Sequence, residues 1–163
     1  MSTEDNKALI RRFNEEVFNK RNLAAVDEFI TSDQIDHSLP PGLPRTREGT
    51  KRAIGITLTA FPDLNFKVED MIAEGDKVVT TYTTCGTQRG AFGSLPPTGK
   101  QVAVSGIVIA RITDGKIAEQ WGLDDRLAML QQLGVIPVLF GFVFLTGLAA
   151  GMGLIVLLRK LLK

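Results

Sequence analysis

Residues 64–87 read LNFKVEDMIAEGDKVVTTYTTCGT. From Phe66 the apolar and polar positions alternate, placing Phe66, Val68, Asp70 and Ile72 on one side, a period of two that belongs to a strand. Glu74-Gly75-Asp76 is a hairpin turn, and Val78 to Thr84 is rich in β-branched residues. Two antiparallel strands are therefore expected here. On the C-terminal side KQVAVSGIVIARI (100–112) and KIAEQWGL (116–123) repeat the pattern about Thr113-Asp114-Gly115. A short helix from Arg126 to Leu133 is expected to end at Gly134.

On the N-terminal side the period lengthens. Thr46 is positioned to cap a helix that runs to about Ala60, where Phe61-Pro62-Asp63 stops it. SLPPGLPRTREG (38–49) is a loop by its prolines and glycines, and NLAAVDEFI (22–30) reads as a second short helix capped by Asn22. Thr3 or Asp5 caps a first helix whose buried face holds Ala8, Leu9, Ile10, Phe13, Val17 and Phe18. Three helices followed by antiparallel strands predict an α+β domain over residues 1–134, with helices on one face of a curved sheet. Such a sheet leaves a conical cavity with one mouth, the usual place for a small molecule.

Residues 135–163 have a different solvent in view. Val138–Leu158 carries no charge, and as a helix it spans about 31 Å, close to a bilayer's hydrocarbon thickness. Arg159, Lys160 and Lys163 follow it, suited to lipid headgroups. Gly147 and Gly151 form a GxxxG pair, a face for a second helix of the same chain or of a membrane protein complex. A single membrane-spanning helix is expected, with the folded domain in the cytoplasm, because the start MSTEDNKALIRRF lacks the apolar run of a signal peptide.

The chain holds 19 Lys and Arg against 18 Asp and Glu, and every acid lies before residue 135. The bases there alternate with the acids, with no basic run and no interleaved aromatics, which excludes a nucleic-acid surface. The single cysteine, Cys85, excludes an internal disulfide, and its place in a strand predicts a buried, inert thiol.

The segments IDHSLPPG, AFPDL, VEDMIAEGDKVVTTYTTCGT, GSLPPTGK, RITDGKIAEQW and WGLDDRLAMLQQLG occur in the order in which they stand in one family. Over residues 5–134 the chain resembles the SnoaL-like polyketide or ester cyclases, of the nuclear-transport-factor-2-like cone fold. The resemblance implies ring closure by an intramolecular aldol condensation without metal or cofactor, a carboxylate moving the proton and the substrate's conjugation stabilising the enolate. It implies Asp125 as general acid/base; the residues alone also allow Asp124 or Asp125 as N-cap of the last helix. His37 matches the family's Asp-His pair and is a candidate to orient a carbonyl, or is a strand-end residue bonded to backbone. Trp121 is cavity wall or core, and Tyr82 an enolate donor or a packed strand residue.

Two departures bear on activity. Gln88 stands in GTQRG where many members carry His, and Ser105–Ala110 is mostly apolar where characterised cyclases carry polar groups. A cavity that takes an apolar small molecule suits this composition. The alternative is a non-catalytic accessory subunit, docked on a membrane complex through its spanning helix.

Overall fold

The computed structural model describes residues 2–135. The expected spanning helix and its Gly147–Gly151 face lie outside the described residues. Among the described residues no helix is long and apolar enough to cross a membrane.

Helix α1 spans Thr3–Asn14 and continues as a π-helical turn over Glu15–Asn19. Its cap is Ser2, one residue before the expected pair. Ser2 Oγ accepts from the Asp5 amide at 3.1 Å, and the Asp5 carboxylate accepts from the Ser2 amide at 2.9 Å. Asp5 is thus the reciprocal partner of a capping box rather than the cap. Ile10, Phe13 and Val17 are buried as the spacing required, Leu9 and Phe18 pack at the core's margin, and Ala8 is exposed.

The expected second helix is a 3₁₀ turn, Leu23–Ala25, followed by one turn of helix α2, Val26–Phe29. The chain then extends at once into strand β1, Ile30–Asp36, which periodicity did not reveal. Helix α3 is Arg47–Ala60; Thr46 stands at its N-cap, although its side chain makes no capping hydrogen bond. Strands β2 (Asn65–Glu74), β3 (Lys77–Thr87), β4 (Gln101–Thr113) and β5 (Lys116–Asp124) follow, and helix α4, Arg126–Gln132, closes the domain.

The sheet order is β1-β5-β4-β3-β2. β2 to β5 pair antiparallel, but β1 runs parallel to β5. The sheet is therefore mixed rather than antiparallel throughout: α3 and three strands separate β1 from its neighbour, so no tight turn fixes their relative direction. The hairpin at Asp114-Gly115 has positive φ at both residues, 50° and 73°, the geometry that a twisted two-residue loop demands.

Two bulges bend the sheet. The pairing of β2 with β3 slips between Val68 and Asp70. Phe66 faces the helices and is buried, with Val68 on the same side, but beyond the bulge Met71 is the buried residue and Ile72 is 65% exposed. The expected shared face of Phe66, Val68, Asp70 and Ile72 holds only for its first two members, because one extra residue inverts the alternation. A second slip, between Arg111 and Ile112 opposite Glu119 and Ile117, leaves Ala118 unpaired on β5. Two core clusters form the interior: one around Phe13, Phe29, Ile54 and Val78, the other around Phe61, Leu64, Val102 and Leu133.

Candidate active site

The helices and the concave face of the sheet enclose a cavity of about 490 Å³. Its walls are largely apolar, with Ile10, Ile54, Phe61, Val104 and Val108 contributing. That lining favours an apolar guest and strengthens each polar interaction made inside it.

One polar group comes from a straight row across three strands. Tyr82 on β3 pairs with Gly106 on β4, and Gly106 pairs with Asp124 on β5. The missing side chain at Gly106 leaves a trough in which the Tyr82 hydroxyl donates to Asp124 Oδ1 at 2.5 Å. A Cβ at position 106 would stand 2.5 Å from the Tyr82 hydroxyl oxygen and 2.8 Å from Asp124 Oδ1, so only glycine permits the contact. Phe66 stacks on the Tyr82 ring at 4.5 Å. Burial first, then the Asp124 charge and hydrogen bond, push the Tyr82 phenol well above its ordinary value of 10.0. Tyr82 therefore remains a donor at any working pH. Asp124 Oδ2 carries no hydrogen bond among the described residues.

A second polar group lies deeper. Asp36, 1% exposed, ends β1 and lines the cavity. Its Oδ1 accepts from the Ser38 amide at 2.9 Å and the Ser38 hydroxyl at 2.5 Å. Its Oδ2 accepts from Thr50 Oγ1 at 2.9 Å and Gln120 Nε2 at 2.6 Å. With four donors around it this carboxylate is saturated, and it ties β1, α3 and β5 together.

The residues singled out in the sequence do not converge. On β5 the bulge at Ala118 sets the phase: Gln120, Gly122 and Asp124 line the cavity, while Glu119, Trp121 and Leu123 alternate with them toward the outer face. There Trp121 stacks on His37, centroids 5.0 Å apart and planes 3° apart, with the Lys77 ammonium 6.0 Å from the indole centroid. His37 Nε2 lies 2.8 Å from Glu119 Oε1, and Arg111 bonds the other carboxylate oxygen at 2.9 Å. The bonds from His37 and then Arg111 hold the Glu119 carboxyl below its usual range. His37 and Trp121 thus stand outside the cavity.

Asp125 is the N-cap of α4, its Oδ1 accepting from the Ala128 amide at 2.9 Å. Gln88 is fully buried. Its amide donates to the carbonyls of Gly90 and Pro96 and accepts from Thr98 Oγ1, pinning the β3–β4 connection that carries Phe92 over the cavity. Cys85, expected to be buried, is exposed at the margin of the cavity. Among the described residues no group of three or more His, Cys, Asp or Glu is placed to hold a metal ion. Of the five named residues only Tyr82 lines the cavity; Asp36, Asp124 and Gln120 were missed. The signal for Asp124 was available, since Gln120, Gly122 and Asp124 alternate within KIAEQWGLDD.

The family described as SnoaL-like polyketide cyclase matches residues 8–133. The chain belongs to this family. TsrD from Streptomyces laurentii is 27% identical, with 83% of this chain and 98% of that chain covered and a TM-score of 0.76. IdmH from Streptomyces antibioticus, a candidate polyketide cyclase, is 34% identical over 83% of this chain and 100% of its own, with a TM-score of 0.69. AclR from Streptomyces galilaeus, a candidate hydroxylase, is 27% identical over 82% and 87%, with a TM-score of 0.73. No curated protein matches. TsrD and IdmH consist almost wholly of the matched region, so in these relatives the SnoaL-like domain folds without further chain. Relatives described in terms of two different reactions share this cone, so the chemistry rests on the cavity's side chains rather than on the architecture.

Proposed function

We propose that the SnoaL-like domain performs cofactor-free acid–base chemistry on an apolar small molecule, closing a ring by an intramolecular aldol addition. The observation that carries this reading is the Tyr82–Asp124 pair on the wall of a largely apolar cavity, with Asp124 exposed and its Oδ2 free of hydrogen bonds among the described residues. Tyr82, held protonated, fixes Oδ1 and so aims Oδ2. Oδ2 removes a proton from the carbon between two carbonyls, and the resulting enolate carbon attacks a third carbonyl of the same molecule, forming the C–C bond. The new alkoxide takes the proton back from the Asp124 carboxyl. The substrate's conjugation supports the enolate, as the family resemblance implies. Asp125, the acid/base that the family resemblance implies, serves in this scheme as the cap that seats α4, whose Arg126 and Met129 line the cavity.

Aryl diketo esters, followed by chromatography and mass spectrometry, test the scheme. Asp124→Asn should lower turnover by roughly 10²–10⁴, the usual worth of a positioned acid/base. Asp125→Asn should stay within a factor of a few. Equal losses in both variants, or none in Asp124→Asn, would remove Asp124 from the chemistry.

The reading of the whole chain adds a cytoplasmic domain tethered to a bilayer through residues 138–158, which brings the cavity near apolar substrate. The uncharged run and its basic end support it. In flotation with phospholipid vesicles, the full chain should rise with the lipid and residues 1–135 should remain below. A second reading, an accessory subunit gathered by Gly147 and Gly151 into a membrane complex, is favoured by the exposed Ile72, Leu123 and Leu127. Extraction in mild detergent separates the two: a stoichiometric membrane partner supports the accessory role, and a lone protein with bound small molecule supports the enzyme.

A further inference from the structure

Ile10, Asn14 and Phe18 stand four residues apart along the first helical segment, and all three line the cavity. The middle member breaks an apolar stripe. Asn14 is 5% exposed, it caps nothing, and its amide forms no hydrogen bond among the described residues. The other polar side chains of the deep wall are matched: Asp36, Ser38, Thr50 and Gln120 satisfy one another. Buried amides in folded proteins have partners, and leaving one without costs about 1–3 kcal/mol. Asn14 lines the cavity, so an amide without a protein partner there is available to a guest.

From this we infer that Asn14 is a recognition residue for the carbonyl oxygen of a neutral ligand, its Nδ2–H donating to a ketone or ester. The inference rests on the reading of the cavity as a small-molecule site and narrows its ligand. The carboxylates of Asp36 and Asp124 share the cavity with a single cation, Arg126, which is exposed. That balance disfavours an anionic guest. An amide adds no charge, so it polarises a carbonyl without exchanging a proton with it.

Residues 1–135 and two fluorescent probes test the inference. One probe is a dimethylaminonaphthalene carrying an acetyl group, whose emission moves to the red when its carbonyl accepts a hydrogen bond. The other is its ethyl counterpart. Asn14→Leu, nearly isosteric, should weaken the acetyl probe about tenfold, the worth of one buried hydrogen bond. It should shift that probe's bound emission to the blue, leave the ethyl probe's affinity unchanged, and raise the melting temperature. Asn14→Asp, which keeps the shape but offers only acceptors, should lose the acetyl preference as well. Equal losses for both probes, a lower melting temperature or failure to fold in Asn14→Leu, or a wild-type domain that binds neither probe would each overturn the inference. Full turnover in Asp124→Asn would remove the proposed base and leave this result standing.

Discussion

Tyr82, Gly106 and Asp124 form one device, and its parts can be read separately. Tyr82 is the only tyrosine, so ultraviolet difference titration reports it alone. It should ionise above its ordinary value of 10.0, and Asp124→Asn should bring it down toward that value. Titration at the ordinary value in both proteins would deny the pair. A folded-state value raised above the unfolded one stabilises the domain below pH 10 and ceases to do so as pH rises through the folded value. Thermal melts should therefore fall on the alkaline side, and less so in Tyr82→Phe. Gly106→Ala should cost about 1–3 kcal/mol in denaturant melts, because the added carbon meets the phenol and the carboxylate together. It should also lower turnover and move the Tyr82 titration toward normal; an unchanged titration would show that the trough is not needed. Asp124 and Gly106 were both visible in the sequence. What hid them was the pull of the neighbouring Trp121 and Asp125, which a hydrophobicity or motif argument prefers.

Elements were legible where their chemistry is local. The Asp114-Gly115 and Gly75-Asp76 hairpins, the stop after Ala60 and the end of α4 at Gly134 all follow from turn and cap residues. The bulges at β2 and β5 were not, since one inserted residue leaves composition unchanged while exchanging the faces of everything beyond it. This is why Trp121 and Leu123 face outward and Gln120 and Asp124 inward, against a simple apolar-inside rule. Strand β1 was missed because its partner β5 lies far along the chain and its burial pattern includes the polar Gln34 and Asp36. Two element-level outcomes follow. Asp125→Ala should cost about 1 kcal/mol in urea melts, as loss of an N-cap does, with turnover nearly intact. Glu119 joins β5 to His37 and Arg111, and its carboxyl is held below its ordinary value of 4.5. A depressed folded-state value stabilises above the unfolded value and is lost as pH falls through the folded one. The melting difference between wild type and Glu119→Gln should thus be full near neutrality and close as pH drops below 4.5. A difference independent of pH would assign the effect to packing instead.

The whole domain was legible as helices on one face of a curled sheet, because the change of hydrophobic period marks where one layer ends and the other begins. The cavity followed from that architecture, whereas the identity of its polar groups required the register of five strands, which no local pattern fixes. Activity, on this account, belongs to the concave side, and the stacked His37 and Trp121 of the outer face do not take part. Chemical-shift mapping of nitrogen-labelled residues 1–135 on addition of the acetyl probe tests that claim most directly. The amides of Asn14, Tyr82, Gly106 and Asp124 should move, while the Trp121 indole N–H and the His37 amide stay in place. Movement of the Trp121 and His37 signals with the concave-face amides unmoved would contradict it.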